Sequence, residues 1–239
     1  MVWLTLIVAC VFALVHTGIG ALKFLNRTPR SRWLSASGGV AVAYVFLHIL
    51  PELATHGNTF VEALKTSKET GEAIVYMLGL IGLVVFYGLE RSIKRSRGRD
   101  RARAPDVSVF WLHIGSFAIY NMIVGYLLLH RESHGTWSLA IYGFAMTLHF
   151  VSTDYGLRED HSIRYDSVAR WILAASVLAG WGLGVVAQLS QLWIAFLFAF
   201  LAGGVILNVL KEELPEERES DFWPFLGAAL VYAAILLAV

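Results

Sequence analysis

Polar side chains within two long apolar stretches are of the types that bind metal ions. Asn121 and His149 each lie 12 residues into such a stretch, and Asp154 follows five residues after His149. If the two stretches are antiparallel helices in a membrane, Asn121 and His149 both lie near its middle. Amide, imidazole and carboxylate groups are ligands for divalent cations, and imidazole suits zinc well. We therefore predict a metal site at His149, Asn121 and Asp154. The alternative is that Asn121 and His149 only form interhelical hydrogen bonds, worth about 0.6 kcal/mol each.

Two further pairs of residues could guide a cation towards and away from this site. His48 and Glu52 are four residues apart, so they share one helix face and offer an imidazole and a carboxylate at the outer mouth. The alternative for Glu52 is a carboxylate that only marks the membrane interface. Glu212 and Glu213 follow another apolar stretch and are predicted to receive the cation on the inner side. The alternative for these two residues is a solvated acidic loop.

The composition shows what must position these residues. The chain has 239 residues, of which 57% are hydrophobic and 15% are charged, and its mean hydropathy is +0.62. Soluble domains are about 45–50% apolar and about 25% charged. Since a spanning helix needs roughly 20 apolar residues, eight spans leave only short connections. This excludes a soluble enzyme and a membrane anchor with a catalytic head, so we expect no enzymatic activity. The net charge of +1 argues against a nucleic-acid partner.

Apolar runs between charged breaks predict an all-α, polytopic membrane protein with a single transmembrane domain over residues 1–239. The eight predicted spans are 2–22, 35–55, 73–89, 109–130, 137–157, 168–188, 191–210 and 222–239. The sixth and seventh spans together would make a helix about twice as long as the hydrocarbon core is thick. We therefore predict a tight hairpin around Leu189 and Ser190.

The distribution of basic residues predicts the orientation. Of the 19 Lys and Arg residues, 16 follow the first, third, fifth and seventh spans, and only Lys65, Lys68 and Arg131 lie on the alternate side. Basic loops stay in the cytoplasm, so both termini are predicted to be extracytoplasmic. Such a protein would lie in a plasma membrane of the bacterial inner-membrane type, with the lipid bilayer as its first partner.

An internal similarity links the second and seventh spans. Each ends in Leu-Pro-Glu, and a glycine lies eleven residues before each leucine, at Gly39 and Gly203. Because the two spans run in opposite directions, the similarity predicts an inverted repeat, which is typical of transporters. The alternative is that Leu-Pro-Glu is only a common helix ending, since Pro stops a helix.

Together these features resemble the ZIP (Zrt/Irt-like) family of divalent metal transporters over the whole chain. The stretches that carry the resemblance are Leu47-His48-Ile49-Leu50-Pro51-Glu52, Tyr120-Asn121-Met122-Ile123-Val124-Gly125, His149-Phe150-Val151-Ser152-Thr153-Asp154 and Gly203-Gly204-Val205 through Leu214-Pro215-Glu216. On the fourth span the family carries His-Asn-x-x-Glu/Asp-Gly, and on the fifth His-Glu-x-x-His-Glu. Four of those ligand positions here hold Tyr120, Val124, Phe150 and Thr153. The resemblance thus implies the ZIP fold and one weaker site in place of a paired-metal site.

The resemblance implies a transporter of zinc, iron or manganese that works by alternating access, with the transported ion as its only expected metal. A second hypothesis is a non-transporting ZIP-fold subunit, structural or regulatory, of a membrane complex, and a homodimer is a further option. A third is a membrane haem protein, because paired helix histidines can ligate haem iron. His149 has no obvious axial partner at equal depth, which weakens the haem hypothesis.

Overall fold

The computed structural model describes residues 1–22, 32–97, 106–131, 135–213 and 221–238, and every regular element in these ranges is helical. The helices are α1 (Val2–Gly18), α2 (Arg32–Tyr44), α3 (Leu50–Leu64), α4 (Lys68–Arg97), α5 (Val107–Leu127), α6 (Thr136–Arg164), α7 (Arg170–Val186), α8 (Gln191–Glu213) and α9 (Phe222–Leu237). A 3₁₀ turn, Ile19–Ala21, extends α1. The all-helical prediction is confirmed for these residues.

Six helical segments are long and apolar enough to cross a membrane, which makes the chain a multi-pass membrane protein. They are Val2–Ala21, Arg32–Leu64, Lys68–Ile93, Val107–Leu127, Tyr165–Val186 and Gln191–Lys211. They correspond to six of the eight predicted spans. The other two predicted spans, 137–157 and 222–239, correspond to α6 and α9, which are not both long and apolar enough to be counted as membrane-crossing helices. α9 is apolar with only 16 residues, and α6 is long but has polar side chains, among them His149 and Asp154, in its apolar half.

The predicted spans differ from the helices mainly at their ends. The second segment continues to Leu64 and the third begins at Lys68. In both cases an amphipathic part of the helix continues beyond the apolar run that predicted the span. The predicted hairpin between the sixth and seventh spans is confirmed. α7 ends at Val186, Ala187 is extended, and α8 begins at Gln191.

Several helix pairs pack with their backbones in direct contact at glycine. A Cβ at Gly39 would overlap the backbone oxygen of Phe225 on α9, and a Cβ at Gly203 would overlap the backbone oxygen of Gly79 on α4. Small residues let helices approach this closely in a membrane, where packing drives association. Gly39 and Gly203 thus fix the α2–α9 and α4–α8 pairs.

The helices depart from regular geometry near polar residues. Pro51 lacks an N–H, and its ring would clash with the carbonyl of Leu47 in a regular helix. The chain widens there into a π-helical turn, Val45–Ile49, which contains His48. A second π-helical turn, Tyr165–Ala169, joins α6 to α7, and the backbone of His161 just before it is not helical (φ −132°, ψ 22°). π-turns of this kind are frequent at functional sites.

Most of the tryptophans are exposed and lie near the N-terminal ends of helices. Of the eight Trp residues, seven are at least 51% exposed and lie within the first five residues of a helix: Trp3, Trp33, Trp111, Trp137, Trp171, Trp193 and Trp223. Trp is enriched at membrane–water interfaces, where its amphipathic ring sits at headgroup level. The remaining Trp181 is partly buried and donates a hydrogen bond to Thr5 Oγ1 (3.0 Å), which joins α7 to α1.

Candidate functional site

Three polar side chains from three helices meet in the interior. His16 on α1 lies between Asp154 on α6 and Asn121 on α5, and each of the three is at most 1% exposed. His16 Nδ1 is 2.7 Å from Asp154 Oδ2, and His16 Nε2 is 2.8 Å from Asn121 Oδ1. We call these three residues the central cluster. Buried ionisable groups inside spanning helices are costly and usually functional.

The hydrogen bonds of the central cluster fix where its protons lie. Asn121 Nδ2 donates to the carbonyl of Phe117 (2.8 Å), so the Asn121 oxygen must face His16. His16 Nε2 therefore faces an acceptor and donates to it, and His16 Nδ1 shares a proton with the Asp154 carboxyl group. The hydroxyl of Tyr165 donates to the backbone carbonyl of His16 (3.2 Å), which holds this turn of α1 in place.

His149 takes a different partner from the one predicted. The Tyr120 hydroxyl lies 3.0 Å from His149 Nε2. The ring of Phe150 lies beside both histidines, with its centroid 4.9 Å from that of His16 and 5.9 Å from that of His149. The structure therefore brings Asn121 and Asp154 together through His16, and it places His149 in a neighbouring pair. The predicted site of His149, Asn121 and Asp154 did not include His16.

The predicted outer pair lines a cleft. His48 Nε2 is 3.4 Å from Glu52 Oε2, and both residues line a cleft with an empty volume of about 550 Å³ that extends between α5, α6 and α8. Arg131 lies on the opposite wall with its guanidinium 5.7 Å from the centroid of the Tyr142 ring. Burial lowers the pKa of Arg131 below its ordinary value. The neighbouring Tyr142, Tyr44 and Glu52 offset part of this shift. The cleft thus contains a guanidinium as well as the predicted imidazole and carboxylate.

A second ionic network lies among α4, α5, α6 and α8. Glu90 is 9% exposed, and its Oε2 lies 2.5 Å from Lys211 Nζ. Glu90 Oε1 is 3.6 Å from His113 Nε2, and His113 Nδ1 is 3.0 Å from His161 Nε2. This network ties the last turn of α8 to three other helices. The sequence did not predict this network, because its members are far apart in the chain.

Some predicted residues have no described side chain. Glu212 and Glu213 belong to the last turn of α8, but their side chains lie outside the part of the chain that the structure describes. Leu214, Pro215 and Glu216 lie outside it entirely.

The central cluster offers the donor set for one cation. His16, Asn121 and Asp154 supply imidazole nitrogen, amide oxygen and carboxylate oxygen, which suit zinc, iron or manganese. Within the described ranges, no three His, Cys, Asp or Glu side chains are grouped so that they could hold a metal. A cation here would therefore depend on Asn121. It would also have to replace at least one of the two hydrogen bonds of His16.

No family model, curated protein or solved structure matches the chain.

Proposed function

We propose that this protein is a ZIP-like membrane transporter of divalent metal cations of the zinc, iron or manganese class. The observation that carries the proposal is the central cluster. A buried imidazole, carboxyl group and amide from three different helices are costly within a membrane protein. A cation bound at the cluster would offset the free-energy cost of burying these groups. The predicted ligand His149 lies in the neighbouring pair and belongs to the wall of the same site.

The two polar regions on either side of the central cluster support a route for the cation. The cleft with His48 and Glu52 offers a carboxylate where a cation enters. The network of Glu90 and Lys211 lies at the other end of α5 and α6, close to where Glu212 and Glu213 would receive the cation. The site then opens to one side at a time by rocking of one repeat against the other.

The packing of two glycines supports the inverted repeat that alternating access needs. Gly39 and Gly203, which the sequence aligns, both bring a helix backbone against a partner helix. Gly39 of the second span contacts α9, the eighth, and Gly203 of the seventh span contacts α4, the third. In an inverted repeat the second span is equivalent to the seventh and the third to the eighth. The α2–α9 pair is then equivalent to the α8–α4 pair.

We also propose that α6 and α9 cross the membrane, which gives eight spans with both termini outside a bacterial inner membrane. Trp137 and Trp223 support this, because each is exposed at the start of its helix like the tryptophans of five of the six apolar segments.

Flux into proteoliposomes tests the proposal. The wild-type protein should carry Zn²⁺, Mn²⁺ or Fe²⁺, and His16→Ala should reduce the rate by about 100-fold or more, as for the loss of a supporting ligand or its partner. His130→Ala is the matched control, since His130 stacks on Tyr126 at the end of α5. Absence of flux for all three ions in the wild type would overturn the transporter proposal. Undiminished flux in His16→Ala would overturn the site.

A second candidate is a non-transporting subunit of a membrane complex. It is favoured by the fact that both ring nitrogens of His16, the side-chain amide of Asn121 and Asp154 Oδ2 already have partners within the chain, which leaves only Asp154 Oδ1 of the cluster without one among the described residues. Stable co-purification with other chains, together with no flux, would support it. A homodimer is compatible with either candidate.

A further inference from the structure

A second cavity lies on the α8 side of the central cluster, with an empty volume of about 220 Å³, its opening included. Its polar lining is Glu90, Thr153, Asp160, Asn208 and Lys211, from α4, α6 and α8. The sequence assigned no role to this combination. We call it the lysine cavity.

Two side chains in the lysine cavity present polar atoms without a protein partner. Thr153 is 5% exposed and Asn208 is 3% exposed. Neither Thr153 Oγ1 nor Asn208 Nδ2 has a hydrogen-bond partner among the described residues. A buried polar group without a partner costs about 1–3 kcal/mol, so a small polar occupant of the cavity would be favoured.

The charges around the cavity favour a cation as that occupant. Glu90 and Asp160 supply carboxylate oxygens, Thr153 supplies a hydroxyl oxygen, and Asn208 supplies an amide oxygen once its side-chain amide turns by half a rotation. Such an oxygen-rich set suits hard divalent cations such as Mn²⁺. The ammonium of Lys211, which contacts Glu90, already takes the place of a cation there.

We propose that the lysine cavity is a second cation site, in which the Lys211 ammonium is a tethered competitor of the divalent metal. The lysine side chain is a point charge on a flexible stem of four carbons. When a metal ion contacts Glu90, the ammonium swings out towards the open end of the cavity. When the metal leaves, the ammonium returns to Glu90 and helps to prevent rebinding. The identity of the ion rests on the proposed function, whereas the competition at Glu90 does not.

Binding of Mn²⁺ to the purified full-length protein, followed by the electron paramagnetic resonance of free Mn²⁺, tests the competition. If Lys211 occupies the site about nine-tenths of the time, Lys211→Met should lower the Kd about tenfold. Lys211→Arg keeps the charge and should leave the Kd close to that of the wild type. Arg131→Met removes a cation from the other cleft and should give no gain. A Kd unchanged in Lys211→Met would overturn the proposal.

A second pair of variants tests where the added affinity arises. Lys211→Met combined with Asn208→Leu, or with Thr153→Val, should lose most of the tenfold gain. If the gain persists in both double variants, the metal binds elsewhere and the proposal fails.

Labelling of the wild-type protein gives a test that needs no substitution. An amine-reactive reagent should modify Lys211 several-fold faster in saturating Mn²⁺, as judged by mass spectrometry of the peptides. Lys65 and Lys68, which lie between α3 and α4 or at the start of α4, are internal controls and should not change. A Lys211 rate that is independent of Mn²⁺ would overturn the proposal.

The two proposals fail in different ways. The proposed function fails if flux is absent or does not depend on His16. That result would not change the Mn²⁺ affinity expected for Lys211→Met. The proposed competition at Glu90 fails if the Kd of Lys211→Met and the labelling of Lys211 are unchanged, even where flux depends on His16.

Discussion

Adding one methyl group at either of the aligned glycines should separate two helices. In Gly39→Ala the new Cβ would lie closer than 3.0 Å to the backbone oxygen of Phe225, and in Gly203→Ala it would be as close to that of Gly79. Real Cβ atoms essentially never approach a backbone oxygen so closely. Because the obstructing atom is backbone, no side-chain rotation can relieve the overlap, and the helices must move apart.

The magnitude follows from what the movement disrupts. Overpacking of a close-packed interior costs about 1–3 kcal/mol, and a gap of about 1 Å already loses up to about half of the dispersion energy of each separated atom pair. Replacing an unobstructed helix glycine by alanine has the opposite sign, stabilising by up to about 1 kcal/mol. We therefore expect Gly39→Ala and Gly203→Ala to unfold about 2–4 kcal/mol more easily than unobstructed glycine controls.

The controls are Gly227→Ala on α9 and Gly182→Ala on α7, where a new Cβ meets no atom within 4 Å. Unfolding can be followed by circular dichroism as sodium dodecyl sulfate is added to protein in a mild detergent. If Gly39→Ala unfolds with the same free energy as Gly227→Ala, the direct backbone contact is refuted. If only one of Gly39→Ala and Gly203→Ala is destabilised, their equivalent roles in a repeat are refuted.

Three other perturbations address the polar groups. Asp154→Asn breaks the buried pair with His16 and should lower the free energy of unfolding by about 3–5 kcal/mol, and His16→Gln combined with it should recover part of the loss in the same detergent titration. Glu52→Gln removes a charge from the cleft mouth and should raise the KM of metal flux several-fold at low salt with little change in kcat. A drop in kcat alone would place Glu52 in the transport step. Purified protein should show no haem Soret band, because His113 and His161 hydrogen-bond each other directly at 3.0 Å. A Soret band lost in His113→Ala would refute that prediction.

The helices could be predicted because membrane insertion leaves a strong signal in local composition. Runs of apolar residues located six spanning segments, and the hairpin at Leu189 followed from their combined length. The signal failed to show how far helices continue outside the apolar runs, as at Leu64. It was weakest for α6, because the polar residues of the central cluster lower the apolar character of the helix that carries them.

The helices that carry the polar residues could be predicted, and the rotation of each helix about its axis could not. His149 was expected opposite Asn121, and in the structure it contacts Tyr120, the preceding residue. At 3.6 residues per turn, neighbouring side chains point about 100° apart, so one residue decides which partner is reached. His16 lies on a helix 105 residues away from Asn121 in sequence. No periodicity within a single helix reports a contact of that kind.

The departures from the ZIP motifs bear on how many cations the interior can hold. Tyr120 and Phe150 stand where the resemblance implies a histidine and a carboxylate, and each is 1% exposed. Their rings fill space beside His149 and His16, so neutral aromatic groups replace ligands there. The charge that remains in the central cluster is the His16–Asp154 pair, which is neutral as a whole. A paired-metal centre would bring four positive charges to this pair with too few carboxylates to balance them. Under the proposed function, the central cluster would therefore take a single cation, which would exchange existing hydrogen bonds for metal ligands.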